Sequence, residues 1–264
     1  MNIKTYEGQG TGVLLLLSGV HGNEYTPIEA LYQLEVDQEY MQKLFSIYKK
    51  IIFAHAVNEH GILNGIREYN PNCDLNRIYG DDLLKEKLKI YIDDADYIVD
   101  VHASKNCTEF VLINNDQYAK DYVDFCQTIG VKYAVWEGSP ITIKAYALTC
   151  RKQAFTIECK GINEIDHKSL LKTMKLIKKV TLNKKTTINI SEPYPDSQTL
   201  QTAVANTDGF LVWTSKKSYF IRSLKGDINN HNNIETLDKT IILRNDAPFI
   251  RKDCYLYQYQ PHLR

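Results

Sequence analysis

The stretch that most constrains this chain is Val13 to Glu24, which reads VLLLLSGVHGNE. Val13 to Leu17 are all apolar, without the polar alternation of a half-exposed strand, and the run ends at Ser18-Gly19. Such a run is a strand buried on both faces, typical of a parallel sheet covered by helices. Tyr25 to Leu34 then reads as a helix, with Pro27 tolerated in its first turn. His21 and Glu24 fall between the carboxyl end of a central strand and the start of a helix, where open α/β sheets bind ligands. Across that turn an imidazole and a carboxylate can face one point and offer a nitrogen and an oxygen to Zn²⁺. Alone, the pair is an ordinary helix start with an exposed carboxylate. The metal reading needs a third donor from another strand.

Tyr97 to Val101 (YIVDV) supplies it, a second buried strand that ends at His102. Two histidines and a glutamate, brought together by two strand ends, make the donor set of a catalytic zinc site with one position left open. Asp100 is placed to hold the second nitrogen of an imidazole. A third buried strand, Gln153 to Ile157, ends in Glu158-Cys159-Lys160-Gly161. Beside a metal, Glu158 is a candidate general base; without one it is a surface residue. Cys159 has no histidine obviously paired with it and reads as a small buried residue rather than a nucleophile. His55, inside the strand Lys50 to Val57, reads as a packed core histidine, and His60 as part of a solvated turn.

Asn58 to Gly80 (NEHGILNGIREYNPNCDLNRIYG) has no sustained period and is rich in Gly, Asn and Pro. Loops of about twenty residues inside a compact domain are uncommon and usually functional. This one carries Arg67, Asn76 and Arg77, and a guanidinium fork suits a carboxylate.

At 264 residues, with 32 basic and 32 acidic side chains, the chain bears no mark of a nucleic-acid binder. No apolar stretch approaches membrane-spanning length, and MNIKTYEGQGTG lacks the apolar core of a signal peptide. Six scattered cysteines without a CxxC pair fit free thiols, and the expected location is the cytoplasm. Tyr40–Tyr48 is expected as a second helix or the continuation of the first, with further helices at Asp82–Tyr91, Gln117–Ile129, Ile141–Cys150 and Ile165–Val180, and strands at Glu109–Ile113 and Val131–Trp136. Past Asn183 the chain turns polar, then shows short β-type runs at Phe210–Trp213, Tyr219–Ser223, Thr240–Leu243 and Cys254–Tyr259. The expected fold is α/β, a mixed and largely parallel central sheet flanked by helices over 1–185, with a small all-β domain over 186–264. Asn229 to Asn233 reads as a loop tip.

HGNE at 21–24, NPNCDLNR at 70–77, DVHAS at 100–104 and TIECKG at 156–161 together resemble the succinylglutamate desuccinylase/aspartoacylase family, relatives of the zinc carboxypeptidases. The resemblance implies one Zn²⁺ per chain on His21, Glu24 and His102, with Glu158 as general acid/base. It implies Asn76 and Arg77 as receivers of a substrate carboxylate, Arg67 as the group that polarises the scissile carbonyl, and Asp74 as a buttress of the loop. Asn72 and Cys73 stand where family members often carry glycine, which leaves the loop's path open. Arg151, Tyr146 and Tyr194 are further substrate-reading candidates. The implied activity is hydrolysis of an amide bond in a small carboxylate-bearing substrate, an N-acyl amino acid. A carboxypeptidase acting on a short peptide's free carboxylate, such as a cell-wall peptide, is the alternative. A catalytically silent zinc-binding interaction domain is a third reading.

Overall fold

The computed structural model describes residues 1–69, 73–77, 83–105, 107–114, 118–136 and 142–184, and beyond these the backbone of short strands between 201 and 259. The strands β1 (Asn2–Glu7), β2 (Val13–Ser18), β3 (Lys50–His55), β4 (Tyr97–Ser104), β5 (Phe110–Asn114), β6 (Tyr133–Trp136) and β7 (Gln153–Lys160) form one seven-stranded sheet. Its order is β1-β3-β2-β4-β7-β5-β6. The pairs β3–β2, β2–β4 and β4–β7 are parallel, as the doubly buried runs require. β1 is antiparallel to β3 and β5 to β7, while β5 and β6 run parallel, so the sheet is mixed and largely parallel at its centre.

Alternation sorts the strands into two cores. Leu14, Leu16, Val99, Val101, Phe155 and Ile157 face one layer with α1 (Tyr25–Val36), α2 (Gln38–Ile47), α5 (Ala119–Thr128) and α7 (His167–Leu182). Val13, Leu15, Leu17, Ile98 and Ala154 face the other with α4 (Leu83–Asp94) and α6 (Ile143–Thr149). Asp100, His102, Ser104, Thr156 and Glu158 fall by the same period on this second face.

Local chemistry sets the helix starts. Asp37 accepts from Tyr40 N at the start of α2, Thr142 from Ala145 N at α6 and Asp166 from Ser169 N at α7. The stretch expected as one loop after β3 contains the short helix α3 (Glu59–Asn64), capped by Asn58 and ended by Gly65 in a left-handed conformation, φ 63°. Two glycines in so short a span hide its helical pattern.

In the C-terminal part, β11 (Ile228–Asn230), β10 (Ser218–Ser223), β9 (Gly209–Ser215) and β13 (Phe249–Ile250) form a four-stranded sheet. A three-stranded sheet joins β12 (Ile242–Leu243), β14 (Tyr255–Tyr259) and β8 (Gln201–Val204). Asn229 and Asn230 thus belong to a strand rather than a loop tip. The polar stretch expected after Asn183 lies, from 185 to 200, outside the described residues, as do Asn72 and Tyr194.

Candidate metal centre and active site

Glu24 stands at the N-cap of α1 yet makes no capping hydrogen bond. Both carboxylate oxygens are spent elsewhere: Oε1 lies 2.8 Å from His21 Nδ1, and Oε2 accepts from Ala103 N at 2.9 Å and lies 3.1 Å from His102 Nδ1. The two Nδ1 atoms are 3.1 Å apart. His21, Glu24 and His102 are all buried, and one ligand atom of each lies within 4.8 Å of the others.

Each imidazole is held from behind by a carboxylate. His21 Nε2 is 3.2 Å from Asp74 Oδ1, and His102 Nε2 is 2.9 Å from Asp100 Oδ2. A ring that gives its Nε2–H to a carboxylate leaves the Nδ1 lone pair free for a cation. The approach of Asn76 Nδ2 to His102 Nε2, at 3.4 Å, is then a contact rather than a second hydrogen bond. Two nitrogens bound to one tetrahedral zinc stand about 3.3 Å apart, close to the separation of the Nδ1 pair.

Electrostatics agree. Burial opposes a charge on His102, but the Asp100 and Glu24 carboxylates outweigh it and hold its pKa well above the ordinary imidazole value. Burial also opposes ionisation of Glu24, and the two imidazoles reverse this and hold its carboxyl far below the usual range. The cluster demands positive charge at its centre, which a divalent cation supplies in place of protons. The residues fit a metal.

Glu158 is the register partner of His102 on the neighbouring strand and points from the same face. Both lie inside their strands, not at the ends as the sequence suggested, because β4 runs on to Ser104 and β7 to Lys160. Parallel strands about 4.8 Å apart therefore hold the carboxylate beside the histidine. Ser104, one further step along that face, reaches Glu158 Oε2 with its hydroxyl at 3.4 Å. The alternation of Asp100, His102 and Ser104 was the available signal for this contact. Cys159 is fully buried on the opposite face, and burial raises its thiol pKa well above the ordinary value, as an inert core cysteine requires.

The loop brings Arg67, Asp74, Asn76 and Arg77 to the same place. Asp74 Oδ1 also accepts from Asn76 N at 2.8 Å, and its Oδ2 lies 3.6 Å from Arg67 Nη2 and 3.8 Å from Arg77 Nη1. Arg67 Nη1 is 3.5 Å from Glu24 Oε1. Burial opposes the charge on Asp74, while His21 and the two arginines hold its carboxyl far below the usual range. Asn76 Oδ1 accepts from Ile143 N at 3.1 Å, which fastens the loop to the start of α6.

Two other candidates are not brought to the site. Arg151 is exposed in the turn before β7, about seven residues and some 20 Å of strand from Glu158. Tyr146 donates its hydroxyl to Asp93 at 3.1 Å. His55 is a fully buried core histidine, stacked on Tyr32 at 4.1 Å and 3.0 Å from Glu35 Oε2.

A mixed sheet with a two-histidine, one-carboxylate cluster over its central strands defines an α/β protein with a candidate metal centre. The chain belongs to the succinylglutamate desuccinylase/aspartoacylase family, whose catalytic-domain model matches residues 11–183. That is a family of deacylases acting on amide bonds. No curated protein matches the chain in sequence. Among solved structures, it is similar to a succinylglutamate desuccinylase from Silicibacter sp. TM1040, with TM-score 0.72 and 14% identity over 98% of this chain and 88% of that one. A succinylglutamate desuccinylase/aspartoacylase from Rhodobacter sphaeroides gives 0.68 and 16% over 98% and 89%. The product-bound ectoine utilization protein EutE (DoeB) from Ruegeria pomeroyi gives 0.69 and 13% over 98% and 88%. At these identities the likeness is one of fold.

Proposed function

We propose that this chain is a zinc-dependent deacylase that hydrolyses the amide bond of an N-acyl amino acid. The observation that carries the reading is the convergence of His21 Nδ1, His102 Nδ1 and the Glu24 carboxylate within 4.8 Å, with Glu158 the register partner of His102. His21, Glu24 and His102 would hold one Zn²⁺, which when bound supplies Lewis acidity and acidifies water. Arg77, with Asn76, binds the substrate carboxylate and fixes the amide over the cluster. Glu158 takes a proton from water as the water oxygen bonds to the carbonyl carbon. Glu158 then gives that proton to the amine nitrogen as the C–N bond breaks. Arg67 stabilises the negative charge that develops on the carbonyl oxygen. In this reading residues 1–185 are the catalytic unit and 186–264 a separate β domain.

Among the described residues no helix is long and apolar enough to cross a membrane. The five cysteines among the described residues are free, which accords with a reducing cytoplasm. The relatives' names favour a deacylase over a carboxypeptidase. The test is elemental analysis of the purified chain beside His21→Ala and His102→Ala, then a panel of N-acetyl and N-succinyl amino acids against C-terminal peptides. About one zinc per chain, lost in both variants, with turnover of an N-acyl amino acid supports the reading. Absence of metal after incubation with zinc at neutral pH refutes it, and release of a C-terminal residue alone makes the enzyme a carboxypeptidase.

A further inference from the structure

The segment that carries Arg67 begins at a residue with every polar group engaged. Asn58 is fully buried. Its backbone N–H donates to Gly19 O at 2.8 Å, and its carbonyl accepts from Ile62 N at 3.0 Å. Its side chain has two tasks. Oδ1 accepts from Gly61 N at 2.8 Å and caps α3, while Nδ2 donates to Arg67 O at 3.1 Å. The same Arg67 carbonyl accepts from Gly22 N, also at 3.1 Å. Gly22 lies between His21 and Glu24, so one carbonyl joins the loop of the metal donors to the start of the Arg67 segment.

The approach is close enough to require glycine. A Cβ on Gly22 would lie 2.1 Å from Gly61 C, and a Cβ on Gly61 would lie 2.4 Å from Asn58 Nδ2. The Arg67 guanidinium, in contrast, stands loosely: its side chain is 42% exposed, and its ion pairs with Glu24 and Asp74 span 3.5 and 3.6 Å. What fixes Arg67 is its backbone, through two donors on one oxygen.

We propose that Asn58 is a positioning residue for Arg67, aiming the guanidinium at the reacting carbonyl through the clamp on the Arg67 backbone. The inference rests on, and deepens, the reading of Arg67 as the oxyanion-stabilising group. A displacement of about 1 Å in such a group costs about a hundredfold in rate. The other task of Asn58, capping a short helix, is structural, and the two separate chemically. In Asn58→Ser the hydroxyl still accepts from Gly61 N but is too short to donate to Arg67 O.

Two measurements on the whole 264-residue chain, zinc-loaded, test this. The first is residue-resolved amide hydrogen exchange in wild type and Asn58→Ser. The Gly22 amide, whose acceptor is the clamped carbonyl, is expected to exchange about tenfold faster or more, with Ile62 in α3 and Gly65 at its end within about twofold. The second is a double-mutant cycle with Arg67→Ala, using N-acetyl-L-aspartate and N-succinyl-L-glutamate as probes. Asn58→Ser alone is expected to lower kcat about 10- to 100-fold with KM nearly unchanged, yet to add less than about threefold in the Arg67→Ala background. Unchanged exchange at Gly22, or single losses that multiply in the double variant, would overturn the proposal and leave Asn58 a helix cap. If Arg67→Ala keeps full turnover, the assignment of Arg67 fails instead, and the Gly22 amide still decides whether Asn58 holds the Arg67 backbone.

Discussion

Gly161 ends the strand that carries Glu158, and it cannot be replaced cheaply. Its φ is +132°, a region essentially closed to other residues, and a Cβ there would lie 1.8 Å from Thr26 Oγ1 and 2.6 Å from Thr26 Cβ. Thr26 cannot retreat: it is fully buried in α1, and its hydroxyl accepts from Asp166 N at 3.0 Å. The backbone conformation alone costs about 1–3 kcal/mol in Gly161→Ala, and forcing a methyl into a packed site adds about 1–3 kcal/mol. Together, about 2–6 kcal/mol, they lower Tm by about 4–24 °C in a domain of this size. The substitution should also reach the site, because Gly161 N donates to Ser104 O at 3.3 Å and Ile162 bridges to Glu24. Calorimetry of the zinc-loaded variant reads the first effect. The second is read from kcat near 15 °C, where the variant is still folded, and kcat is expected to fall by more than tenfold. A Tm within about 2 °C of wild type would show that the β7–α7 turn relaxes freely and would refute the reasoning.

Glu158→Gln keeps the shape of the side chain and removes its basicity, so kcat should fall by about 10²–10⁴ with zinc content unchanged; near-wild-type turnover would remove Glu158 from its role. Burial pushes the His55 pKa below its ordinary 6.5, with Glu35 opposing. The unfolded chain then binds more protons than the fold, so the His55 contribution is complete above about pH 6.5 and is lost as pH falls below that. Urea midpoints between pH 5 and 7.5 should therefore slope less in His55→Gln, and an unchanged slope counts against the argument. Asp100→Asn and Asp74→Asn should each weaken zinc about 10- to 100-fold in chelator competition. Only Asp74→Asn should also raise KM, since Asp74 alone of the two lies against Arg67 and Arg77.

The centre of the fold was legible because β2 is apolar from Val13 to Leu17 and β4 and β7 carry apolar residues on both faces along part of their length, a pattern few other elements share. β1 was not, since NIKTYE is a half-exposed edge strand with no apolar majority. Helix α3 escaped because Gly61 and Gly65 read as loop residues, whereas its existence depends on the Asn58 cap and the left-handed Gly65. The short strands β8, β11 and β13 carry too few residues to show a period. In the site, His21, Glu24 and His102 could be found from what ends or follows a buried strand. Ser104 had only its alternation with Asp100 and His102 to mark it. Asn58 could not be found, because it acts through the backbone of Arg67 within an irregular segment and a lone Asn is common in any loop. Asp74 was legible as a loop buttress, but its contact with His21 appears only once the loop is folded over the sheet.

The two histidines are oriented by carboxylates of different standing. Asp100 lies two residues from His102 on the same strand, so that pair is set as soon as the sheet forms. Asp74 reaches His21 from the loop, so the second imidazole is oriented only when the loop is seated. The same loop carries Arg67, Asn76 and Arg77, two of which face Asp74 directly. Completing the candidate cation site and seating the proposed substrate-binding groups are therefore one structural event. By linkage, whatever free energy a cation contributes to ordering this loop, an ordered loop returns in affinity for the cation. A carboxylate-bearing substrate that engages Arg77 would accordingly tighten the metal, and the metal would tighten the substrate by the same factor.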